Sequence, residues 1–143
     1  MHKRRVIVDT NALLIPGTFG IDIYEELEDM GYLEIIIPES VIKELEALSK
    51  SEKGRTRKAA QIGYQLVRQH LQLADSRSRS RVFIERKGRV TNRDTDSEII
   101  MMAKMQDAAV LTNDAELRRR LRQEGIPTVF LRGKNRLVAD WLN

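Results

Sequence analysis

Cysteine is absent from the 143 residues of this chain, and aromatic residues make up only 5% of them. The absence of cysteine excludes disulfides, zinc sites with thiolate ligands, iron–sulfur clusters and cysteine nucleophiles. The scarcity of aromatic residues leaves no strand suited to stacking nucleobases in the manner of RNA-recognition motifs. No apolar run approaches the roughly 20 residues that a membrane-spanning helix needs, and the first apolar run is too short for a secretory signal. We therefore expect a cytoplasmic protein that does not interact with membranes.

Charged residues are abundant, with 25 Lys and Arg against 21 Asp and Glu, which gives a net charge of +4. This mild excess of positive charge favours an anionic partner without identifying it. The hydrophobic fraction of 41% and the charged fraction of 32% are typical of one soluble globular domain. We therefore treat residues 1–143 as a single domain.

Short β-branched runs alternate with longer segments of helical periodicity, which predicts an α/β fold with a mainly parallel sheet. The predicted strands are 4–8, 33–37, 82–85 at a sheet edge, 108–111 and 127–131. The predicted helices are 21–30, 39–48, 55–73, 95–105, 115–124 and a short C-terminal helix within 137–142, anchored by Trp141. We expect a flexible turn around Gly17 and Gly20 and a polar loop over 75–81.

Two aspartates follow predicted strands directly, at the point where ligands bind in open parallel sheets. Asp9 comes after the Val6-Ile7-Val8 run, and Asp114 comes after the run that ends at Asn113. Each has a structural alternative, because Asp9 can shape a turn and Asp114 can cap the following helix. Their occurrence at two strand ends nevertheless favours a shared site at one edge of the sheet.

Two further acidic residues lie on predicted helices that can face this edge. Glu44 is near the border of the apolar stripe of its helix, and Asp96 lies three residues before the apolar Ile99. The structural alternative for Asp96 is a charge that complements the helix dipole, and Asp94 or Glu98 can take its place in the site.

Four converging carboxylates repel one another and raise each other's pKa unless a cation lies between them. A hard divalent cation is the expected solution, and Mg²⁺ or Mn²⁺ suits a set of oxygen ligands better than zinc does. Such an ion commonly also binds phosphate oxygens, as in phosphodiester hydrolysis.

These motifs, in this order, resemble the PIN domain, a family of metal-dependent nucleases, over almost the whole chain. The matching stretches are VIVDTN at 6–11, IPESVIKEL at 37–45, Asp96 with its following isoleucines, and VLTND at 110–114. The resemblance implies a three-layer α/β/α fold and an endoribonuclease acting on single-stranded RNA, leaving 5′-phosphate and 3′-hydroxyl ends. It implies that Mg²⁺ or Mn²⁺ is held by four candidate catalytic carboxylates: Asp9, Glu44, Asp96 and Asp114. It also implies that four polar residues orient these ligands or bound water: Thr10, Asn11, Thr112 and Asn113.

Basic residues offer a path for an RNA backbone. We expect RNA contacts from five arginines in two clusters: Arg55, Arg57, Arg77, Arg79 and Arg81. A third basic run, 118–122, either extends this path or forms a solvent-exposed helix face with salt bridges.

The biological setting is open at this stage. One setting is a VapC-type toxin that pairs with an antitoxin, and the other is an rRNA-processing nuclease with a ribosomal partner. The resemblance also implies a homodimer, and the methionines of helix 95–105 favour either core packing or a dimer interface. The alternative to an enzyme is a catalytically silent module of the same fold that binds RNA or protein.

Overall fold

A computed structural model describes residues 4–51, 54–72, 80–86 and 94–140 of the chain. Within these ranges the strands are β1 Arg4–Val8, β2 Tyr32–Pro38, β3 Arg81–Glu85, β4 Ala109–Leu111, β5 Thr128–Arg132 and β6 Arg136–Asp140. The helices are α1 Thr10–Leu13, α2 Ile15–Phe19, α3 Ile23–Asp29, α4 Glu39–Ser49, α5 Gly54–Gln72, α6 Thr95–Gln106 and α7 Ala115–Gln123. None of these helices is long and apolar enough to cross a membrane.

The strands form one sheet in the order β3-β2-β1-β4-β5-β6. The first five strands pair in parallel, and β6 runs antiparallel to β5 at the edge. Helices α3 and α4 pack on β2, whereas α6 packs on β1 and β4 and α7 packs on β5. The crossover from β1 to β2 runs one way along the sheet, and those from β3 to β4 and from β4 to β5 run the other way. Because such crossovers are right-handed, they place these two helix groups on opposite faces of the sheet. The prediction of an α/β fold with a mainly parallel sheet is confirmed.

The central strand β1 is buried on both faces, with no exposure of Val6, Ile7 and Val8. A continuous apolar run of this kind is typical of a parallel strand covered by helices on both sides. The chain moves from β1 to β2 on one side and later places β4 on the other side. The carboxyl ends of β1 and β4 therefore form the topological switch point, where open α/β sheets bind ligands. A backbone hydrogen bond of 3.0 Å from the Asp9 amide to the Leu111 carbonyl joins the two strands there.

The C-terminal segment differs from the prediction of a short helix, since residues 136–140 form β6. Gly133 and Lys134 adopt positive φ angles of 60° and 62° and turn the chain back on itself. Leu131 then pairs with Leu137 in an antiparallel hairpin, whose main-chain bonds outweigh the weak helical pattern. Trp141, the predicted anchor, lies outside the described residues.

The segment after β1 also differs from prediction, because α1 and α2 replace the expected flexible turn. Gly17 lies within α2, where an added Cβ would come within 2.7 Å of the Ala59 Cα of α5. Gly20 ends α2 in the left-handed region, at φ 70°. These glycines thus permit close helix packing and a helix end. In the predicted loop over 75–81, Arg81 instead begins β3, and residues 75–79 lie outside the described ranges.

The methionines of α6 do not all pack in the core. Met102 packs against the core cluster, but Met105 is 79% exposed and Met101 is also exposed. The prediction of core packing therefore holds for Met102 alone.

Gly63 of α5 lies directly against α1, the helix that follows Asp9. A Cβ added at Gly63 would overlap the Leu13 carbonyl oxygen, whereas one added at Gly54 would meet no atom within 4 Å. We expect Gly63→Ala to lower the free energy of unfolding by about 2 kcal/mol, because backbone overlap outweighs the gain in helix propensity. Gly54→Ala is the matched control and is expected to stay within about 1 kcal/mol of wild type in urea unfolding. Equal stabilities of the two variants would contradict this packing.

Candidate active site

Asp9 is the most buried acidic residue at the switch point, with 6% exposure. Its Oδ1 accepts a hydrogen bond from the Thr10 amide at 2.7 Å, and its Oδ2 accepts one from the Thr112 hydroxyl at 2.8 Å. Burial raises the pKa of Asp9, these two hydrogen bonds oppose the rise, and the charges of Asp96 and Glu44 add to it. The carboxylate is thus held firmly in a site that disfavours its charge.

Thr112 and the two asparagines tie the strand ends together. The Thr112 hydroxyl also accepts from the Asp114 amide at 3.1 Å. The Asn11 side-chain oxygen accepts from the Asn113 amide, and the Asn113 side-chain oxygen accepts from the Leu131 amide, each at 3.0 Å. These contacts link the ends of β1, β4 and β5, so the asparagines brace the loops that carry the acidic residues.

Of the four residues predicted to orient the site, Thr112 alone bonds a candidate carboxylate through its side chain. Thr10 contacts Asp9 through its backbone amide, and its buried hydroxyl has no hydrogen-bond partner among the described residues.

Asp114 takes the helix-capping role that the sequence left open. Its Oδ1 accepts from the amides of Glu116 and Leu117 at 2.8 and 3.1 Å, at the start of α7. The cap does not remove its charge from the site, because Asp114 raises the pKa of Asp96. Capping and a place beside the other acids are therefore compatible.

Asp96 and Glu44 reach the same region from α6 and α4. Burial is the main cause that raises the pKa of Asp96, followed by the charge of Asp114, with smaller contributions from Asp94 and Glu44. The Glu44 Oε1 accepts a hydrogen bond of 2.7 Å from the Thr95 hydroxyl, which bridges α4 to α6. Acidic side chains from four separate segments thus meet at the switch point, where their charges raise the pKa values of Asp9 and Asp96.

The two substitutes considered for Asp96 have other contacts. Asp94 caps α6 by accepting from the Ser97 amide at 2.7 Å, and this bonding to Ser97 lowers the pKa of Asp94. Glu98 accepts from the Ser40 hydroxyl at 2.7 Å and so forms a second bridge to α4. Asp94 therefore caps α6, and Asp96 lies in the first turn of that helix, where its charge also complements the helix dipole.

Across the described ranges, no three Asp, Glu or His side chains are close enough together to hold a metal ion as they stand. Protein donors occupy both oxygens of Asp9 and one oxygen each of Glu44 and Asp114. Mutual repulsion also favours separation of carboxylates that lack a cation between them. The acidic side chains of the described residues thus lie in one region but do not converge on one metal position.

The chemistry of the donors nevertheless suits a hard divalent cation. The four acids supply only oxygen atoms, and the pKa values of Asp9 and Asp96 are raised partly by neighbouring negative charge. A cation between them would relieve this repulsion.

Three positioning contacts were not predicted from the sequence: Thr95 to Glu44, Ser40 to Glu98, and Arg120 to the Ser97 hydroxyl at 3.1 Å. Each joins two elements that are distant in the chain, so no local pattern announces them.

The predicted RNA-binding arginines have separate outcomes. Arg55 and Arg57 are exposed in the first turn of α5, and Arg81 is exposed at the start of β3. Arg77 and Arg79 lie outside the described residues. Their role in RNA binding stays a prediction.

The basic run 118–122 is largely engaged within the protein. The Arg118 guanidinium lies 3.6 Å from the centre of the Phe130 ring, Arg119 pairs with Glu116, and Arg122 lies 3.5 Å from Asp140. This agrees with the salt-bridged alternative for Arg119 and Arg122, whereas Arg118 packs on an aromatic ring and Arg120 bonds Ser97 of α6.

Thr112→Val should raise the pKa of Asp9 further, because it removes the hydroxyl that bonds the charged form. The Asp114 amide loses its acceptor at the same time, so we expect the free energy of unfolding to fall by about 1–3 kcal/mol. Carbon-detected NMR titration of the Asp9 carboxyl measures the shift, and Thr112→Ser, which keeps the hydroxyl, is the matched control. An unchanged Asp9 titration in Thr112→Val would contradict the hydrogen-bond assignment.

Comparison with known proteins relates this chain to a family model, to a curated protein and to solved structures. A family model described as a PIN-like domain matches residues 6–134. Ribonuclease VapC9 of Archaeoglobus fulgidus is 28% identical over 140 residues, which cover 98% of this chain and 92% of that protein.

Two solved structures share the fold at 23% sequence identity. The PIN domain endonuclease Utp24 superimposes with a TM-score of 0.67, covering 97% of this chain and 96% of that chain. A domain of a functionally unknown protein from Methanocaldococcus jannaschii gives a TM-score of 0.62 and covers 98% of this chain and 99% of that chain. At this identity the two structures establish the fold alone.

Proposed function

This chain belongs to the PIN-like domain family, and on that premise we propose that it is a metal-dependent endoribonuclease that cleaves single-stranded RNA. The observation that carries the proposal is the placement of Asp9 and Asp114 at the ends of β1 and β4, joined through the Thr112 hydroxyl, with Asp96 and Glu44 beside them. Burial raises the pKa values of Asp9 and Asp96, so their ionised forms are costly for the fold, which favours a functional reason for them. The likeness to Ribonuclease VapC9 supports RNA as the substrate.

The four acids would hold Mg²⁺ or Mn²⁺. When bound, such an ion lowers the pKa of an attacking water and neutralises charge on the phosphate and the leaving oxygen. Asp9 is the principal ligand in this proposal, because it is buried and fixed by two hydrogen bonds.

The protein's own residues prepare the site for this chemistry. Thr112 orients Asp9, and Thr95 orients Glu44 across the gap between α6 and α4. The α7 cap fixes Asp114 while one of its two oxygens still lies outside the two capping bonds. Rigid support of this kind keeps the ligands within the narrow tolerance that catalysis needs.

A time course with end-labelled single-stranded RNA tests the proposal. We expect internal cleavage in MnCl₂ or MgCl₂, with 5′-phosphate and 3′-hydroxyl product ends, and no cleavage in EDTA. Cleavage that persists in EDTA would contradict the metal role. RNA binding without cleavage in either metal would favour the catalytically silent module.

The proposal also includes an antitoxin or a ribosomal partner, and a homodimer as the oligomeric state. Co-purification of a small protein that blocks cleavage would favour the toxin setting, and association with ribosomal particles would favour rRNA processing. Sedimentation of the purified chain would measure whether it forms the homodimer.

A further inference from the structure

A groove of about 380 Å³ lies between α6 and α7, and we call it the α6–α7 groove. Its lining includes Ser97, Ile100, Lys104 and Arg120. Ser97 directly follows Asp96 in the first turn of α6, so the groove begins beside the candidate active site. Its volume is within the about 300–1,000 Å³ typical of small-ligand sites.

Arg120 differs from its neighbours in how its charge is used. Arg119 and Arg122 each form an ion pair, but within the described residues Arg120 forms none and bonds the neutral Ser97 hydroxyl at 3.1 Å. A guanidinium has five N–H donors, and this contact uses one of them. Arg120 therefore keeps both net charge and donor capacity toward the groove.

The charge of Arg120 reaches the active site. The bond from Arg120 to the hydroxyl of Ser97, the residue that follows Asp96, places the guanidinium beside the acidic cluster. A planar guanidinium that is not paired with a carboxylate matches two oxygens of a phosphate.

The rest of the groove is suited to a nucleotide rather than to a bare anion. Ile100 and Met101 give it an apolar wall, which can cover a sugar or a base edge. Lys104 pairs with Glu124 at the same groove, so its charge is already compensated. The charge of Arg120 also lowers the pKa values of Asp94 and Glu116, but no carboxylate of the described residues bonds its guanidinium. Arg120 is therefore the cation of this groove whose N–H groups are available to a phosphate.

We propose that the α6–α7 groove binds the RNA backbone phosphate next to the scissile one, with Arg120 as its ligand. This proposal rests on the proposed ribonuclease function, because it states where the RNA backbone lies once it has passed the carboxylates. Arg120 thus binds the substrate beside the reacting phosphate.

Fluorescence anisotropy with a short labelled single-stranded oligoribonucleotide of mixed sequence tests this assignment. In EDTA, where metal-dependent cleavage cannot occur, Arg120→Gln should weaken binding about tenfold. The slope of log affinity against log salt should fall by about one, as expected when one phosphate contact is lost. Arg119→Gln removes the same charge from an exposed, paired position and should stay within about twofold of wild type.

A purely structural role for Arg120 predicts a different result. If Arg120 only compensates Asp96, Arg120→Gln should tighten Mn²⁺ binding and leave RNA affinity and its salt slope unchanged, which would overturn the proposal. A thermal melt checks that the variant is folded, and Arg120→Lys should recover part of the affinity, because it restores charge without the planar fork.

The outcomes also separate this proposal from the proposed function. If the wild type binds RNA with a salt dependence that falls in Arg120→Gln, but does not cleave RNA, the nuclease activity is overturned and the phosphate site in the groove is supported. Wild type that cleaves RNA, together with unchanged binding by Arg120→Gln, would overturn the groove alone.

Discussion

Asp9→Asn is expected to reduce metal-dependent RNA cleavage by more than about a hundredfold, since loss of even an outer partner of a metal ligand costs about 10- to 100-fold. Asparagine keeps an oxygen for the Thr10 amide but removes the negative charge that a divalent ion requires. Initial cleavage rates in saturating MnCl₂ measure the loss, and calorimetric titration should show weakened Mn²⁺ binding.

The same substitution should not harm the metal-free fold. Burial and the charges of Asp96 and Glu44 disfavour the ionised form of Asp9, so a neutral side chain of the same shape relieves a cost. We expect the melting temperature of metal-free Asp9→Asn to equal or exceed that of wild type at neutral pH. Loss of activity with gain of stability is the combination that a functional, rather than structural, carboxylate gives.

Asp107→Asn is the matched control for this experiment. Asp107 is exposed at the C-terminal end of α6, whereas Asp96 lies at the N-terminal end of that helix. The positive φ of 54° at Asp107 is one that asparagine adopts readily. It should keep wild-type cleavage and Mn²⁺ affinity. Equal losses in the two variants, or full activity in Asp9→Asn, would contradict the assignment of Asp9.

Those parts of the site that lie beside strands were predictable from the sequence. Asp9 and the 112–114 segment follow short apolar strands, and a parallel sheet brings neighbouring strand ends to one edge. The register of β1 on β4, with Val8 opposite Leu111, brings them side by side. The location of these residues was predictable because it depends only on a local sequence pattern and on a general rule of sheet topology.

Contacts between helices could not be predicted from the sequence. The bonds from Thr95 to Glu44 and from Arg120 to Ser97 join residues 51 and 23 positions apart. They depend on how α6 lies against α4 and α7, which no periodicity within one helix determines. The β6 hairpin escaped prediction for a similar reason, because pairing with β5 decided the conformation of a short, weakly patterned segment.

Mn²⁺ should stabilise the folded protein strongly at neutral pH and hardly at all in acid. At about 100 times its dissociation constant, an ion that binds only the folded state adds about 2.7 kcal/mol. For a chain of this size, that gain corresponds to a rise of roughly 8 °C in melting temperature. Near pH 4, protons compete for the carboxylates, and the rise should disappear.

Without metal, the contribution of Asp9 and Asp96 to folding stability falls as the pH rises. A surface acid in an ion pair gives the opposite dependence. The pKa values of Asp9 and Asp96 are raised above their ordinary 3.8, so the folded state holds these protons more tightly than the unfolded chain does. Their contribution to stability is fully present below pH 3.8 and is lost as the pH rises through the folded-state pKa. We expect metal binding to restore stability in the pH range where the two carboxylates have lost it.

Differential scanning fluorimetry across this pH range, with and without MnCl₂, measures both effects. Asp9→Asn should lack most of the Mn²⁺-dependent rise at neutral pH, and Asp107→Asn should keep it. An equal rise at pH 4 and at neutral pH, or an undiminished rise in Asp9→Asn, would place the bound ion elsewhere on the protein. The two scans thus measure, at one site, what an ionised Asp9 costs the metal-free fold and what a bound cation returns to it.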